Sequence, residues 1–210
     1  MNSVQKSLLS AADIHHPDLA DVIRLNLSNH EDSADLIAVD AGDKADCFRF
    51  LARTVVGQLL SAKAARTIWY RVEQLAVANT VGLIDLFSGD HQSTLREAGL
   101  SGSKYKTIAG LRFELNGDPD FATRLLKSDY ADIKAQITSL WGFGDWSADM
   151  CAIFYCGLPD VFPLKDVAII NGLNKLCSGE EPEPAAARYA PYRSYLCKHI
   201  WLGFNTGYIK

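Results

Sequence analysis

The stretch Leu140-Trp141-Gly142-Phe143-Gly144-Asp145-Trp146-Ser147-Ala148 decides the fold. A helical period runs up to it over Tyr130–Leu140, and another resumes over Ser147–Cys156. Two glycines one residue apart permit a tight turn with positive φ. They also leave the main chain open to a close neighbour such as a phosphate. The second helix then presents unpartnered N–H groups and the positive end of its dipole to that anion. A hairpin of this kind grips a nucleic-acid backbone without reading its sequence. On these residues alone, a plain helix–helix turn with a glycine cap stays open.

Twenty residues beyond Trp146 stands Asp166, inside Phe162-Pro163-Leu164-Lys165-Asp166-Val167-Ala168-Ile169. An aspartate just ahead of an apolar helical run is the pattern of a helix N-cap. A carboxylate held there is stabilised by the helix dipole, so capping and a chemical role are compatible.

Outward from this core the chain reads as helix almost throughout. Phe48, Leu51, Val55 and Leu59 recur at helical steps over Cys47–Leu60. Ser61 caps a further helix whose face is Ala65, Ile68, Val72 and Leu75. Shorter helices fit Val81–Phe87, Gln92–Ala98, Ser103–Leu115 and Phe121–Leu126, and Asp166–Leu176 and Pro191–Phe204 complete the set. No alternating strand set or internal repeat is present, so the fold class is all-α. Two segments read as loops: Ser28–Asp46, which is acidic, and Ser178–Pro184, with the sequence SGEEPEP.

The 210 residues are 48% hydrophobic and 22% charged, enough for a real core and too apolar for wholesale disorder. The formal charge of −4 counts against a dedicated nucleic-acid binder, although the local field at a binding face matters more than the sum. The cysteines are Cys47, Cys151, Cys156, Cys177 and Cys197. They are odd in number and contain no CxxC, which fits reduced thiols and argues against an iron–sulfur cluster. No segment reaches the ~20 apolar residues of a membrane span, and the N-terminus lacks the apolar run of a signal peptide. A soluble, intracellular protein is expected.

Five blocks carry a resemblance. They are Val56-Gly57-Gln58-Leu59-Leu60-Ser61-Ala62-Lys63-Ala64-Ala65, Ala98-Gly99-Leu100-Ser101-Gly102-Ser103-Lys104, the hairpin, the Asp166 loop, and Pro191-Tyr192-Arg193-Ser194-Tyr195 through His199-Ile200-Trp201. In that order they resemble the helix-hairpin-helix DNA glycosylase superfamily, and within it the 3-methyladenine DNA glycosylase II branch. The N-terminal β-domain of some members is not expected here, since too few residues precede the first block. The resemblance implies a two-lobed helical fold with the active site in the cleft between lobes. One lobe would cover 45–158 and end in the hairpin motif at about 131–156; the other would combine 1–44 with 159–210.

It further implies a monofunctional hydrolase acting on alkylated bases of the 3-methyladenine and 7-methylguanine type. Members that also cleave the strand have a lysine opening the second hairpin helix; Trp146 stands there instead. Asp166 would stabilise positive charge at the sugar C1′ or activate water. Trp146, Met150 and Trp201 would form the base pocket, where an indole face favours a cationic base by about 0.5–2 kcal/mol. Leu59 would be the wedge that fills the gap left by a flipped base. Contacts to DNA would come from Gln58, Leu59, Ser61, Lys104, Gly142, Gly144, Asp145 and Trp146, with Arg53 and Lys63 adding charge. The carbonyls of Thr138, Leu140 and Phe143 match a site for Na+ or K+, and no other cofactor is implied. The partner would be damaged double-stranded DNA, met by a monomer, in cytoplasm, nucleoid or nucleus. Trp141, where proline is usual, and the negative Asp145 depart from the pattern. Three other readings remain: a glycosylase for oxidised or mismatched bases, a non-catalytic helix-hairpin-helix DNA-binding module, and a small helical enzyme unrelated to nucleic acid.

Overall fold

A computed structural model describes residues 1–30 and 43–210. These form twelve α-helices and, among the described residues, no strand. The acidic segment expected as a loop, Ser28–Asp46, lies largely outside the described residues. The chain divides into two compact units, residues 43–151 and residues 1–30 with 152–210.

The first unit holds α3 (Lys44–Gly57), α4 (Ala62–Ala78), a 3₁₀ turn (Asp85–Phe87), α5 (Gln92–Glu97), α6 (Gly102–Gly117), α7 (Phe121–Lys127), α8 (Tyr130–Ser139) and α9 (Asp145–Met150). Side chains cap four of these helices: Asp43 for α3, Ser61 for α4, Ser101 for α6 and Asp129 for α8. Each accepts a backbone N–H of the first turn that the helix itself leaves unpartnered. Phe48, Leu51 and Val55 of α3 are buried together with Ile108 and Leu111 of α6, and α3 packs on α4, α6, α7 and α9. The buried centre of α4 is Trp69, Val72 and Ala76. The expected face is therefore rotated by one residue, and Ala65, Ile68 and Leu75 form its half-buried margin. A bulky indole at Trp69 takes the core position.

The second unit holds α1 (Ser3–His15), α2 (Pro17–His30), a π-helical turn (Cys151–Tyr155) that continues α9, then α10 (Val167–Leu176), α11 (Pro182–Ala187) and α12 (Arg193–Thr206). Leu8, Leu19, Ile23, Ile169, Leu173, Leu196 and Ile200 form its core. A polar network runs through it. Asn26 donates its amide to the His199 carbonyl at 2.9 Å and faces His199 Nδ1 at 3.3 Å. His199 Nε2 lies 2.8 Å from Gln5 Oε1. The amide must donate to both acceptors, so Nδ1 accepts and Nε2 carries the proton. α10 and α12 approach closely at Gly172, where a Cβ would come within 2.3 Å of Ile200 Cγ2.

The helical period located neither α1 nor α2, although the resemblance assigns residues 1–44 to a helical lobe, and α11 lies partly within the segment read as a loop. Pro182 occupies the first turn of α11, where its missing N–H is harmless. The last helix starts at Arg193 rather than Pro191. None of the five cysteines is in a disulfide, and burial pushes the Cys177 thiol up to about 12.

Candidate functional site

The hairpin between α8 and α9 uses its two glycines differently. Gly142 takes φ of +83°, and a Cβ there would lie 2.3 Å from Thr107 Oγ1. It is therefore required both by conformation and by close approach to α6. Gly144 is extended, with φ of −121° and ψ of −173°. A Cβ on it would meet nothing within 4 Å. Only one of the two thus needs positive φ. The other leaves open space at the N-terminus of α9, which no side chain caps. Tyr130 at the start of α8 donates its hydroxyl to the buried Asp149 carboxylate at 2.6 Å, bracing the hairpin's two helices. Asp145 lies 3.5 Å from Lys134, which offsets its negative charge. Trp141 is exposed, with the Lys106 ammonium 4.6 Å above its ring.

The turn between α3 and α4 carries Leu59 with φ of +57° and its side chain fully exposed. The helix expected to run to Leu60 ends at Gly57, so Leu59 is neither helical nor buried. A left-handed conformation costs a leucine roughly 1–2 kcal/mol, so the surrounding contacts must impose it. Lys104 Nζ donates to the carbonyls of Val56 at 2.8 Å and Gln58 at 2.9 Å. Burial lowers the pKa of this half-buried lysine. Gln58 Nε2 reaches from the turn to the hairpin, donating to the Gly142 carbonyl at 3.2 Å and Ser147 Oγ at 3.1 Å. Ser61 caps α4 by accepting from the Ala64 N–H at 3.3 Å. Two of the three donors of Lys104 are thus engaged by main-chain carbonyls of this turn.

In the other unit, Asp166 is the N-cap of α10 and is 8% exposed. Its Oδ1 accepts from the Ile169 N–H at 3.0 Å and from Trp201 Nε1 at 3.2 Å. The close packing at Gly172 is what brings α12, and with it Trp201, alongside α10. The Phe154 ring lies 5.4 Å from that of Trp201, tilted by 38°. Phe154 sits on the π turn, a distortion frequent at functional sites, and the sequence reading missed it. No three- or four-residue period could have marked it, because a π turn breaks the period.

The loop that leads to Asp166 is pinned to the start of α12. Arg193 Nε and Nη2 donate to the two oxygens of Asp160 at 2.7 and 2.8 Å. The Arg193 N–H reaches Asp160 Oδ1 at 3.2 Å, capping α12 from outside and fixing its first residue. Ser194 is tied to the loop as well: its hydroxyl accepts from the Val161 N–H and donates to the Val161 carbonyl, and its own N–H donates to the Pro159 carbonyl. The remaining residues singled out from sequence fall as follows. Trp146 is half-buried in the first turn of α9, and Met150 is buried at its end. Thr138 is in the last turn of α8, where carbonyls lack an N–H from their own helix. The Leu140 carbonyl accepts from the Phe143 N–H at 3.1 Å and retains a second lone pair.

Known structures resemble this arrangement. A DNA-3-methyladenine glycosidase from Bacillus halodurans is 27% identical, with a TM-score of 0.63 over 83% of this chain and 80% of its own. The chain has the fold of the 3-methyladenine DNA glycosylases. The Schizosaccharomyces pombe glycosylase Mag1, solved with abasic DNA, superimposes on this glycosylase fold with a TM-score of 0.66 at 20% identity, covering 75% of this chain and 80% of Mag1. Among curated sequences, DNA-3-methyladenine glycosylase 1 of S. pombe is 23% identical over 171 residues, 76% of this chain and 73% of that protein. A probable bifunctional transcriptional activator and DNA repair enzyme AlkA of Mycobacterium tuberculosis is 32% identical over 76 residues. That match covers 35% of this chain and spans only 15% of the mycobacterial protein. No protein-family model matches the sequence. None of the described helices is long and apolar enough to cross a membrane.

Proposed function

We propose that this chain is a monofunctional DNA glycosylase that hydrolyses the N-glycosidic bond of alkylated bases and leaves an abasic site. The observation that carries the reading is Asp166: a nearly buried carboxylate fixed by two donors on one oxygen, on a fold whose solved relatives are 3-methyladenine glycosylases. As the base departs, positive charge develops at C1′ of the sugar. A carboxylate that does not reorganise stabilises that charge, and it can also direct water. Oxocarbenium-like cleavage at a carboxylate is the nearest general chemistry. Trp201 and Phe154 offer aromatic faces beside Asp166. Stacking on such faces suits cationic N-alkylated purines such as 3-methyladenine and 7-methylguanine, whose charge already makes them good leaving groups.

The partner is damaged double-stranded DNA. The hairpin holds its backbone through the open main chain at Gly144 and the uncapped start of α9. Leu59, exposed on a fixed turn, enters the stack as the base leaves it. The carbonyl oxygens of Thr138, Leu140 and Phe143 are hard donors that suit Na+ or K+. A cation bound there would add positive charge on the hairpin toward a phosphate. No lysine stands at Trp146 to form a Schiff base, so strand cleavage does not follow base release.

The test is release of 3-methyladenine or 7-methylguanine from a duplex by the native protein and by Asp166→Asn. Abasic sites from the native chain only, with strand breaks appearing after alkali, support the proposal. Binding of the lesion duplex without release of base overturns the substrate assignment.

A further inference from the structure

The Leu59 turn is strained, exposed and clamped from two directions. Lys104 lies in the first turn of α6, where the helix dipole disfavours a cation. Its ammonium instead reaches back to the C-terminal end of α3. There the Val56 carbonyl belongs to the last turn, and the Gln58 carbonyl immediately precedes Leu59. Carbonyls at a helix C-terminus lack partners in their own helix and attract positive charge. Burial of the stem disfavours the charged form, so the ammonium stays in place through these contacts. From the other side, Gln58 ties the same turn to the hairpin through Gly142 and Ser147.

We infer that Lys104 is a positioning residue that, with Gln58, holds Leu59 in its left-handed conformation so that the wedge is preset before DNA arrives. The inference rests on the glycosylase reading and deepens it: Lys104 acts through Leu59 and touches neither base nor sugar. A leucine free to relax would leave the left-handed region and present its side chain in other directions. Only the preset fraction would enter the stack productively. Removing the clamp therefore lowers the competent population by about five- to thirtyfold, the range set by the strain of a left-handed leucine. Through Gln58, the turn is fixed relative to the hairpin that grips the backbone.

The experiment is a double-mutant cycle read by single-turnover release of 3-methyladenine from duplex DNA. The proteins are the native chain, Lys104→Met, Leu59→Ala and the double variant. Lys104→Met is expected to slow release about tenfold in the native background and by less than about twofold once Leu59 is alanine. Lys104→Arg, which keeps charge and donors, is expected to restore part of the rate. Equal slowing in both backgrounds overturns the inference, because Lys104 would then act independently of Leu59. A second measurement needs no DNA. The carbon chemical shifts of Leu59 in the free protein report positive φ and should move toward ordinary helical or extended values in Lys104→Met. Unchanged shifts also overturn the inference. If the native chain releases no base, the glycosylase reading fails while the shifts still decide whether Lys104 sets the turn.

Discussion

Trp201 donates its indole N–H to the same Asp166 oxygen that accepts the Ile169 N–H, at 3.2 and 3.0 Å. One oxygen is fixed by its own helix and by a second helix at once. This makes Trp201 an orienting group as well as an aromatic face. Trp201→Phe keeps a ring beside Phe154 and removes the donor. Hydrogen bonds to charged groups contribute about 1.5–3 kcal/mol, so base release should slow by roughly ten- to a hundredfold. Single-turnover rates at saturating enzyme check this. A rate within twofold of native would mean that the carboxylate is held in place without the indole N–H.

The two hairpin glycines should respond in opposite ways to alanine. Gly142→Ala meets Thr107 at 2.3 Å and a φ of +83°, so it should destabilise the protein by about 1–3 kcal/mol. Gly144→Ala has ordinary backbone angles and open space, so stability should stay within about 0.5 kcal/mol of native. If a phosphate rests on the main chain there, the added methyl group should still weaken DNA binding. Urea unfolding and fluorescence anisotropy on a short duplex measure the two effects separately. Native affinity for Gly144→Ala would remove the hairpin main chain from the DNA contact.

The Leu59 turn gives a test that separates function from packing. A buried leucine replaced by alanine costs about 2–5 kcal/mol. Leu59 is fully exposed, so Leu59→Ala should leave the melting temperature unchanged while base release falls. Leu59→Gly should raise stability, because glycine occupies positive φ without strain. Calorimetry with parallel release assays decides. A large loss of stability in Leu59→Ala would show that the side chain packs against the protein in solution.

The parts of the molecule legible in the sequence were those governed by local rules. Ser61 and Asp166 read as caps because an oxygen ahead of an apolar run meets the first-turn N–H groups, and both cap in the structure. The hairpin read correctly because glycine and helix period change together. The first two helices did not read, since their inner face includes Gln5 and Asn26, buried to pair with His199. Polar residues at core positions interrupt the apolar period on which such reading depends. A signal was nonetheless present: Asn2 three residues before Gln5 is a helix-start pattern, and Asn2 Oδ1 accepts the Gln5 N–H at 2.9 Å. The clamp from Lys104 was invisible for another reason. Its acceptors are main-chain carbonyls more than forty residues earlier, and carbonyls leave no trace in residue type.

The loop leading to Asp166 supplies a pH dependence. Hydrogen bonds from the Arg193 side chain, then from its N–H, hold the Asp160 carboxyl below its ordinary value, against an opposing effect of burial. A carboxylate whose pKa is depressed by folding stabilises the native state at every pH above its unfolded value. That contribution falls away as pH drops through the lower folded value. The native chain should therefore lose stability progressively below about pH 4, where unfolded aspartates begin to bind protons. Arg193→Met removes the side-chain donors and leaves the N–H contact. It should flatten the part of this acid slope that belongs to Asp160, while lowering stability at neutral pH. Urea unfolding of both proteins between pH 3 and pH 7 measures the difference. Because the loop carries Asp166, the variant should also slow base release at neutral pH, and Arg193→Lys should recover less than full activity because an ammonium cannot form the paired contact. Parallel pH–stability curves for the two proteins would mean that Asp160 is held by its other contacts and that the arginine only fills space.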